Sequence, residues 1–266
     1  MLKVRGLSKY FARGTANELR ALCRLDLDVR PGEFVSVIGS NGAGKSTLLA
    51  CIAGAAIPDE GRIVLDGTDI TGWPEHRRAG RIGRVFQDPL LGTCASMTIE
   101  ENMALAQRRG RRRTLRAGIT RAERARFREA LGSLDLGLDR RLGEPCGFLS
   151  GGQRQSLTLL MATLVRPSLL LLDEHTAALD PRTAGLVMRL TCDVIERDRL
   201  TAVMITHNMQ QALSYGQRLI MMHRGEVCLD FSAEEKSRLT VQDLIYHFHA
   251  ANPAVQGAVS DRMILS

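Results

Sequence analysis

The residues with the clearest chemical potential form a glycine-rich loop after an apolar run, residues 34–38. The segment fits G-x-x-x-x-G-K-[ST] at Gly39, Gly44, Lys45 and Ser46. Glycines let the backbone curl so that successive N–H groups point at an anion, while Lys45 supplies a full positive charge to terminal phosphates. Ser46 carries the hydroxyl that holds Mg²⁺ in such loops. The spacing therefore predicts a phosphate-cradling loop between a strand and a helix, and a chain that binds a nucleoside triphosphate. The residues expected around the phosphates are Gly39, Ser40, Asn41, Gly42, Ala43, Gly44, Lys45, Ser46 and Thr47.

Composition limits the class of protein. The chain has 266 residues, 44% of them hydrophobic and 4% aromatic, which suits one large domain, or a domain with an inserted lobe, around an aliphatic core. We expect no membrane span, because no run of about 18 mostly apolar residues occurs. The first residues lack the apolar region of a secretory signal. The cysteines show no C-x-x-C spacing, which is typical of a reducing compartment and predicts a cytosolic protein.

The positive charge is local. The chain carries a formal +7, yet residues 108–128 hold ten arginines and one acid, Glu123, for a local +9, which leaves −2 for the rest. Such a tract is most often a solvated helix face. Contact with anionic lipid headgroups or, less favoured, RNA stays open. No aromatic residue interleaves residues 108–126, so a stacking platform for single-stranded nucleic acid is not expected.

Hydrophobic patterning predicts strands around helices. Between the first two strands, residues 11–20 are predicted as a loop or hairpin tip, and residues 58–61 as a turn. The predicted strands are 2–4, 25–29, 34–38, 63–65, 82–87, 169–173 and 201–206, followed by a closing hairpin at 218–230 that turns at Arg224-Gly225.

Helix-start signals mark a change of pattern after about residue 88. Thr98 and Thr120 each precede a Glu by three residues, the spacing of a capping box, and Asp180-Pro181 is typical of another helix start. Phe127, Ala130, Leu131 and Leu134 are predicted to share one helix face. The pattern predicts a parallel α/β core interrupted by a helical insertion and then resumed. Its predicted parts are a core with a β subdomain (1–87 and 166–235), a helical subdomain (88–165) and a C-terminal extension (236–266) that is loosely ordered from about Asn252.

A second motif, Leu-Ser-Gly-Gly-Gln at residues 149–153, narrows the class. It resembles the signature motif of ATP-binding cassette (ABC) ATPases. The other motifs of that family have matching segments here, in the same order along the chain: Gln87 for the Q-loop, 169–174 for Walker B, 178–180 for the D-loop and His207 for the switch histidine. The resemblance covers about residues 1–235. It implies a P-loop NTPase core with an antiparallel β subdomain and an inserted α-helical subdomain.

The resemblance also implies a role for each residue. Ser150 and Gln153 have the spacing of a helix cap, with Gly151 and Gly152 leaving backbone N–H groups bare as an anion site. In the family this signature covers the γ-phosphate bound by a second copy, so a head-to-tail dimer around two ATP molecules is expected, and Asp180 belongs to the same cofactor set. The implied catalytic residues are Glu174 as general base, His207, Gln87 and Lys45. The implied Mg²⁺ ligands are Ser46, Gln87 and Asp173. The ring implied to stack on adenine is Phe11, with Tyr10 as the alternative.

Two positions depart from the common pattern. His175 stands where many relatives have Pro after the catalytic glutamate, and Asn208 replaces the acidic residue common after the switch histidine. His175 is interpreted as a subgroup marker that could tune the proton affinity of Glu174.

The expected function is ATP hydrolysis that powers solute import through a separate membrane permease. Residues 73–78, 86–93 and 173–175 resemble a bacterial branch of importers that work with a permease and an extracytoplasmic binding protein, some associated with aromatic amino acids. This places the chain peripherally on the cytoplasmic face of the inner membrane, with no nucleic-acid partner. The alternatives are an exporter or lipoprotein-release ATPase and, less favoured, a non-transport ABC protein acting on RNA or DNA.

Overall fold

The structure, a computed structural model, describes residues 1–110 and 118–251. The chain divides into two compact units, one made of Met1–Arg78 with the chain from Thr201 onward, the other of Ala79–Leu200. The predicted helical segment 88–165 lies within the second unit. The loose tail predicted from Asn252 lies outside the described residues.

The first unit combines two sheets with short helices. Its strands are β1 (Leu2–Phe11), β2 (Leu19–Val29), β3 (Phe34–Gly39), β4 (Glu60–Leu65), β5 (Thr68–Asp69), β8 (Ala202–Ile205), β9 (Arg218–His223) and β10 (Glu226–Phe231). Its helices are α1 (Lys45–Ala53), α2 (Glu75–Arg78), α7 (Met209–Ser214), α8 (Ala233–Lys236) and α9 (Val241–Ala251).

One of these sheets is antiparallel, in the order β2-β1-β4-β5. The predicted strands 2–4 and 25–29 are too short, because β1 and β2 stay paired up to Phe11↔Leu19 and leave residues 12–18 as the hairpin tip. The predicted turn at 58–61 also ends early, since β4 begins at Glu60. The outermost residues, Phe11, Leu19 and Glu60, are exposed. Backbone pairing continues through them although no buried face marks them in the sequence.

The other sheet of the first unit orders its strands β10-β9-β3-β8. The strand before the phosphate loop, β3, is buried along its whole length and pairs in parallel with β8 and β9, as expected for a central strand of an α/β core. Strands β9 and β10 form the predicted hairpin, with Arg224 and Gly225 at positive φ in its turn.

Arg78 anchors the carboxyl end of α1. The side chain is fully buried, and its guanidinium donates to the carbonyls of Cys51 (2.7 Å), Ile52 (2.9 Å), Trp73 (2.8 Å) and Thr71 (2.8 Å). Two of these acceptors are last-turn carbonyls of α1, whose partial negative charge favours a cation. The helix that begins at Lys45 is therefore fixed at its far end.

The start of the C-terminal extension is packed helix. From α9, Leu244 and Phe248 are buried in a cluster with Met209 and Ala212 of α7 and with Leu219 of β9. Within residues 1–110 and 118–251, no helix combines the length and the apolar content needed to cross a bilayer.

The second unit is mostly helical. It contains β6 (Ile82–Val85), α3 (Ile99–Gln107), α4 (Arg121–Gly132), α5 (Gly151–Thr163), β7 (Leu169–Asp173), α6 (Pro181–Asp198) and two 3₁₀ turns at Leu138–Arg140 and Cys146–Phe148. Both predicted capping boxes are confirmed, at Thr98 for α3 and Thr120 for α4. The predicted α4 face is buried at Phe127 and Leu131 in the core of the unit.

Several arginines in the described part of the arginine tract make intramolecular contacts. Arg109 donates to the carbonyls of Met161 and Ala162 (2.9 Å each) at the end of α5, and burial lowers its pKa. Arg124 pairs with Glu100 at 2.5 Å. These arginines stabilise helix ends and helix pairs, a structural use that the sequence pattern did not distinguish from a solvated face. Residues 111–117 of the tract lie outside the described residues.

Candidate active site

The predicted phosphate loop connects the end of β3 to the start of α1. Three of its glycines, Gly39, Gly42 and Gly44, have positive φ. A Cβ on Gly39 would lie 2.2 Å from the carbonyl oxygen of Met222, and one on Gly44 would lie 2.4 Å from that of Ala21. Both positions therefore require glycine for space as well as for backbone conformation.

Lys45 is held over this loop by the loop's own backbone. Its Nζ donates to the carbonyls of Gly39 (2.7 Å) and Ser40 (3.1 Å), and the residue is 6% exposed. The next residue, Ser46, is exposed. The arrangement places a positioned ammonium group and an accessible hydroxyl on consecutive residues of one helix start.

The amino end of α1 has no side-chain cap, unlike the amino ends of α3 to α8. Gly44 occupies its N-cap and supplies no side-chain acceptor, and the first turn has no acidic residue. Because first-turn N–H groups carry the positive end of the helix dipole, this end favours an anion from outside the helix. A side-chain oxygen caps α3, α4, α5, α6, α7 and α8, from Thr98, Thr120, Ser150, Asp180, Asn208 and Ser232.

The two aromatic candidates for adenine stacking lie at the end of β1. Tyr10 is covered by the guanidinium groups of Arg13 and Arg20, at 4.7 and 5.5 Å from the ring centroid. Phe11 is 44% exposed, with the Lys9 ammonium 5.7 Å from its ring centroid. Since its ring is the more accessible, Phe11 remains the preferred candidate.

His207 follows the buried strand β8, as predicted, and is half-buried. The next residue, Asn208, caps α7 by accepting from the Gln211 N–H at 2.8 Å. An amide oxygen performs this capping as well as a carboxylate would, which gives a physical account of the departure at Asn208.

In the second unit, the Walker B and Q-loop residues meet at one sheet edge. Strands β6 and β7 are parallel, with Val85 opposite Leu172. Asp173 is the last residue of β7, and Gln87 lies two residues after the end of β6. Gln87 is exposed and Asp173 is largely buried. Glu174 has φ +44°, a left-handed conformation that costs a non-glycine residue about 1 kcal/mol or more.

Arg84 is a neighbour of Asp173 that the sequence analysis missed. Its Nη2 lies 3.1 Å from Asp173 Oδ2, and its guanidinium stacks over Phe86 at 4.6 Å from the ring centroid. The signal available was an arginine inside an otherwise apolar strand, since such a charge requires a buried partner.

His175 is fixed in the interior next to Glu174. It is 2% exposed, and its Nε2 lies 3.1 Å from Thr191 Oγ1. The Thr191 hydroxyl donates to the Val187 carbonyl (2.8 Å), so it accepts from Nε2–H of the imidazole. Burial lowers the pKa of His175 to about 4, which keeps the ring neutral at physiological pH.

The signature segment begins α5 as predicted. Ser150 caps the helix, accepting from the Gln153 N–H (3.3 Å), while Gln153 Oε1 accepts from the Ser150 N–H (3.2 Å). A Cβ on Gly152 would lie 2.1 Å from Thr183 Cγ2, in the first turn of α6. That helix is capped by Asp180, which accepts from the Thr183 N–H at 3.1 Å. Gly152 therefore also permits close packing of two helix starts.

Comparison with known proteins identifies the class. The family model described as ABC transporter matches residues 22–177. The chain is 45% identical to a tyrosine transport ATP-binding protein of Clostridioides difficile (strain R20291), over 94% of this chain and 100% of that protein. It is 36% identical to the phosphonates import ATP-binding protein PhnC of Alcaligenes faecalis, over 86% and 82% of the two chains.

A solved structure shows the same fold. The dimeric post-hydrolysis structure of an ATP-binding cassette bound to ADP and Pi aligns with a TM-score of 0.75 and 30% identity, over 88% of this chain and 99% of that one. The chain belongs to the ABC transporter family. It is an ATP-binding subunit with ATPase activity, and the predicted α/β cassette fold is confirmed.

Proposed function

We propose that the chain hydrolyses ATP to drive import of a small solute, an amino acid in particular, through a separate permease. The observation that carries the ATPase chemistry is the phosphate loop, in which Lys45 Nζ is held by two loop carbonyls beside a helix end without a side-chain cap. The direction of transport is supported by the relative named for phosphonates import. The solute class is supported by the relative named for tyrosine transport.

Binding of ATP is assigned to groups of the first unit. The N–H groups of residues 39–47 receive the phosphates, Lys45 neutralises the terminal ones, and Phe11 stacks on the adenine. His207 donates a hydrogen bond to the γ-phosphate.

Hydrolysis is assigned to the sheet edge of the second unit. Glu174 accepts a proton from the attacking water or orients it, and Gln87 orients the same water. The left-handed backbone of Glu174 is a strained conformation of the kind that clusters at functional sites.

Ser46, Gln87 and Asp173 are the proposed ligands of Mg²⁺, because this ion prefers hydroxyl, amide and carboxylate oxygens. When bound, Mg²⁺ would neutralise charge on the phosphates. Asp173 would supply the carboxylate, and its Oδ2 lies 3.1 Å from the Arg84 Nη2, so Mg²⁺ would share this group with the guanidinium.

A second copy of the chain is proposed to complete each site. Ser150, Gly151, Gly152 and Gln153 present a capped helix start with bare glycine backbone, and Asp180 caps the adjoining helix. In the proposal these residues cover the γ-phosphate bound by the other copy. The dimeric ATP-binding cassette with ADP and Pi supports this arrangement.

The proposed place of the protein is the cytoplasmic face of the inner membrane, bound to a permease that receives solute from an extracytoplasmic binding protein. A cassette structure from Clostridium perfringens, described as part of an ABC transporter complex, supports membrane partners (25% identity, TM-score 0.73).

The test uses the chain together with a membrane permease that co-purifies with it, reconstituted in proteoliposomes with ATP supplied either inside or outside the vesicles. We expect uptake of labelled tyrosine or a related amino acid, driven by ATP on the side that carries this chain, and loss of uptake with Lys45→Ala. ATP-driven movement in the opposite direction would overturn import. ATP hydrolysis without any transported amino acid would overturn the solute assignment alone.

A further inference from the structure

One side-chain amide in α5 binds two backbone carbonyls from separate segments. Gln155 is fully buried, and its Nε2 donates to the carbonyl of Phe86 (2.8 Å) and to that of His175 (2.7 Å). Phe86 follows β6 and His175 follows β7, so both carbonyls lie just beyond the ends of the paired strands. The amide therefore joins three chain segments at one nitrogen.

The two carbonyls belong to residues adjacent to the proposed catalytic pair. Phe86 directly precedes Gln87, and His175 directly follows Glu174. Because Glu174 has a strained left-handed backbone, the surrounding structure has to hold it there. The His175 ring provides a second anchor through Thr191, so the residue after Glu174 is fixed by both its backbone and its side chain.

Gln155 also connects this pair to the signature motif. It lies one turn beyond Ser150 on α5, so its position follows that of the helix start that Ser150 caps. A displacement of α5 would pull on both carbonyls together. Gln87 and Glu174 would then move as a pair with the signature.

The chemistry of the contact requires an amide. Both partners are acceptors, so the side chain must supply two N–H groups from one end, which the amide nitrogen does and a carboxylate does not. Gln155 Oε1 is buried and accepts no hydrogen bond within the described structure. An unsatisfied buried acceptor is unfavourable, so it offsets part of the stabilisation that the two donated hydrogen bonds supply.

We propose that Gln155 is a positioning residue that holds Gln87 and Glu174 in fixed relation to the signature helix. The inference rests on the proposed function of that pair. Loss of the amide should lower the rate of hydrolysis and leave ATP affinity nearly unchanged, because the phosphate loop and the aromatic ring assigned to binding ATP within one copy are in the first unit.

The experiment compares the full-length chain with Gln155→Met, which keeps the length and removes both donors, and Gln155→Asn, which withdraws the donors by one methylene. Ser156→Ala is the matched control, since Ser156 is the next residue of α5, is fully buried, and its Oγ has no hydrogen-bond partner within the described structure. Kd for a fluorescent ATP analogue, kcat, KM and Tm are measured for each.

We expect kcat of both Gln155 variants to fall about 10- to 100-fold, because small misplacements of catalytic groups have effects of this size. Kd should stay within about threefold of wild type, and Ser156→Ala should match wild type in kcat. A kcat within twofold of wild type in Gln155→Met would overturn the inference. A wild-type chain that neither binds nor hydrolyses ATP would instead overturn the proposed function.

A third variant separates positioning from a general structural role. In Gln155→Glu, the buried carboxyl has a raised pKa and, once protonated, donates one of the two lost hydrogen bonds. Its kcat relative to wild type should therefore rise as pH falls from 8 to 6. A ratio that does not change with pH would contradict the hydrogen-bonding role, even if the Met and Asn variants fold poorly.

Discussion

At the residue scale, contacts with the surrounding chain fix the positions of residues that are proposed to bind ATP or to catalyse its hydrolysis. Lys45 is fixed by two carbonyls of its own loop. Glu174 has a strained left-handed backbone, and a hydrogen bond to Thr191 fixes its neighbour His175 in the interior. Strain at a proposed general base is consistent with a position selected for function, because an unstrained residue would be more stable.

Glu174→Gln tests this assignment. The amide keeps the size of the side chain but does not accept a proton from water, so kcat should fall at least about 100-fold while ATP affinity is retained. ATP should then hold the chain as a dimer, which size-exclusion chromatography with and without ATP would show. Turnover near the wild-type rate would contradict the general-base assignment.

His175 predicts a pH dependence of stability. Its pKa is about 4 in the folded chain and about 6.5 when unfolded, so between these values the unfolded state binds more protons. The free energy of unfolding should therefore fall as pH drops below about 6.5, by about 2 kcal/mol between pH 7 and 5. Urea titrations of wild type and His175→Asn measure this difference. An identical pH slope in both proteins would contradict the buried neutral imidazole.

At the element scale, helix ends carry the candidate chemistry and glycines set how closely they approach. The α1 end is left without a side-chain cap, whereas α5 and α6 are capped by Ser150 and Asp180 and pack start against start. Gly152 makes this packing possible, because Thr183 Cγ2 fills the space of a Cβ.

A compensating pair tests the packing of α5 on α6. Gly152→Ala should lower the free energy of unfolding by about 1–3 kcal/mol through overpacking. Thr183→Ser removes Cγ2, the atom that clashes, and should be nearly neutral alone. The double variant should regain most of the lost stability in urea titrations. Additive losses in the double variant would contradict a direct contact.

At the scale of the whole molecule, the proposal requires two copies for each hydrolysis site. Each chain then contributes a phosphate loop to one site and a signature helix to the other. Such a two-fold arrangement makes two identical composite sites from one kind of chain.

Mixing two inactive variants tests this arrangement. Lys45→Ala impairs the phosphate loop, and Ser150→Arg impairs the signature. A mixed dimer joins one intact loop with one intact signature, so an equal mixture should regain about a quarter of wild-type ATPase activity. Each variant alone should be inactive. No recovery on mixing, with dimer formation verified, would contradict composite sites.

The sequence by itself determined the class of protein and the local structure of the motifs. The phosphate loop, the capping boxes at Thr98, Thr120 and Ser150 and the Asp180 cap all depend on residues within a few positions of one another. Such short-range geometry is specified by residue type and spacing.

Only the tertiary structure decided the contacts made between distant segments. Strands β1 and β2 extend beyond the segments predicted as strands, because each supplies the other's hydrogen bonds. Arg84 meets Asp173, Arg78 meets the end of α1, and Gln155 meets Phe86 and His175 because folding brings acceptors from elsewhere in the chain to these donors. Buried polar groups need partners, but residue spacing does not reveal which distant group will supply them.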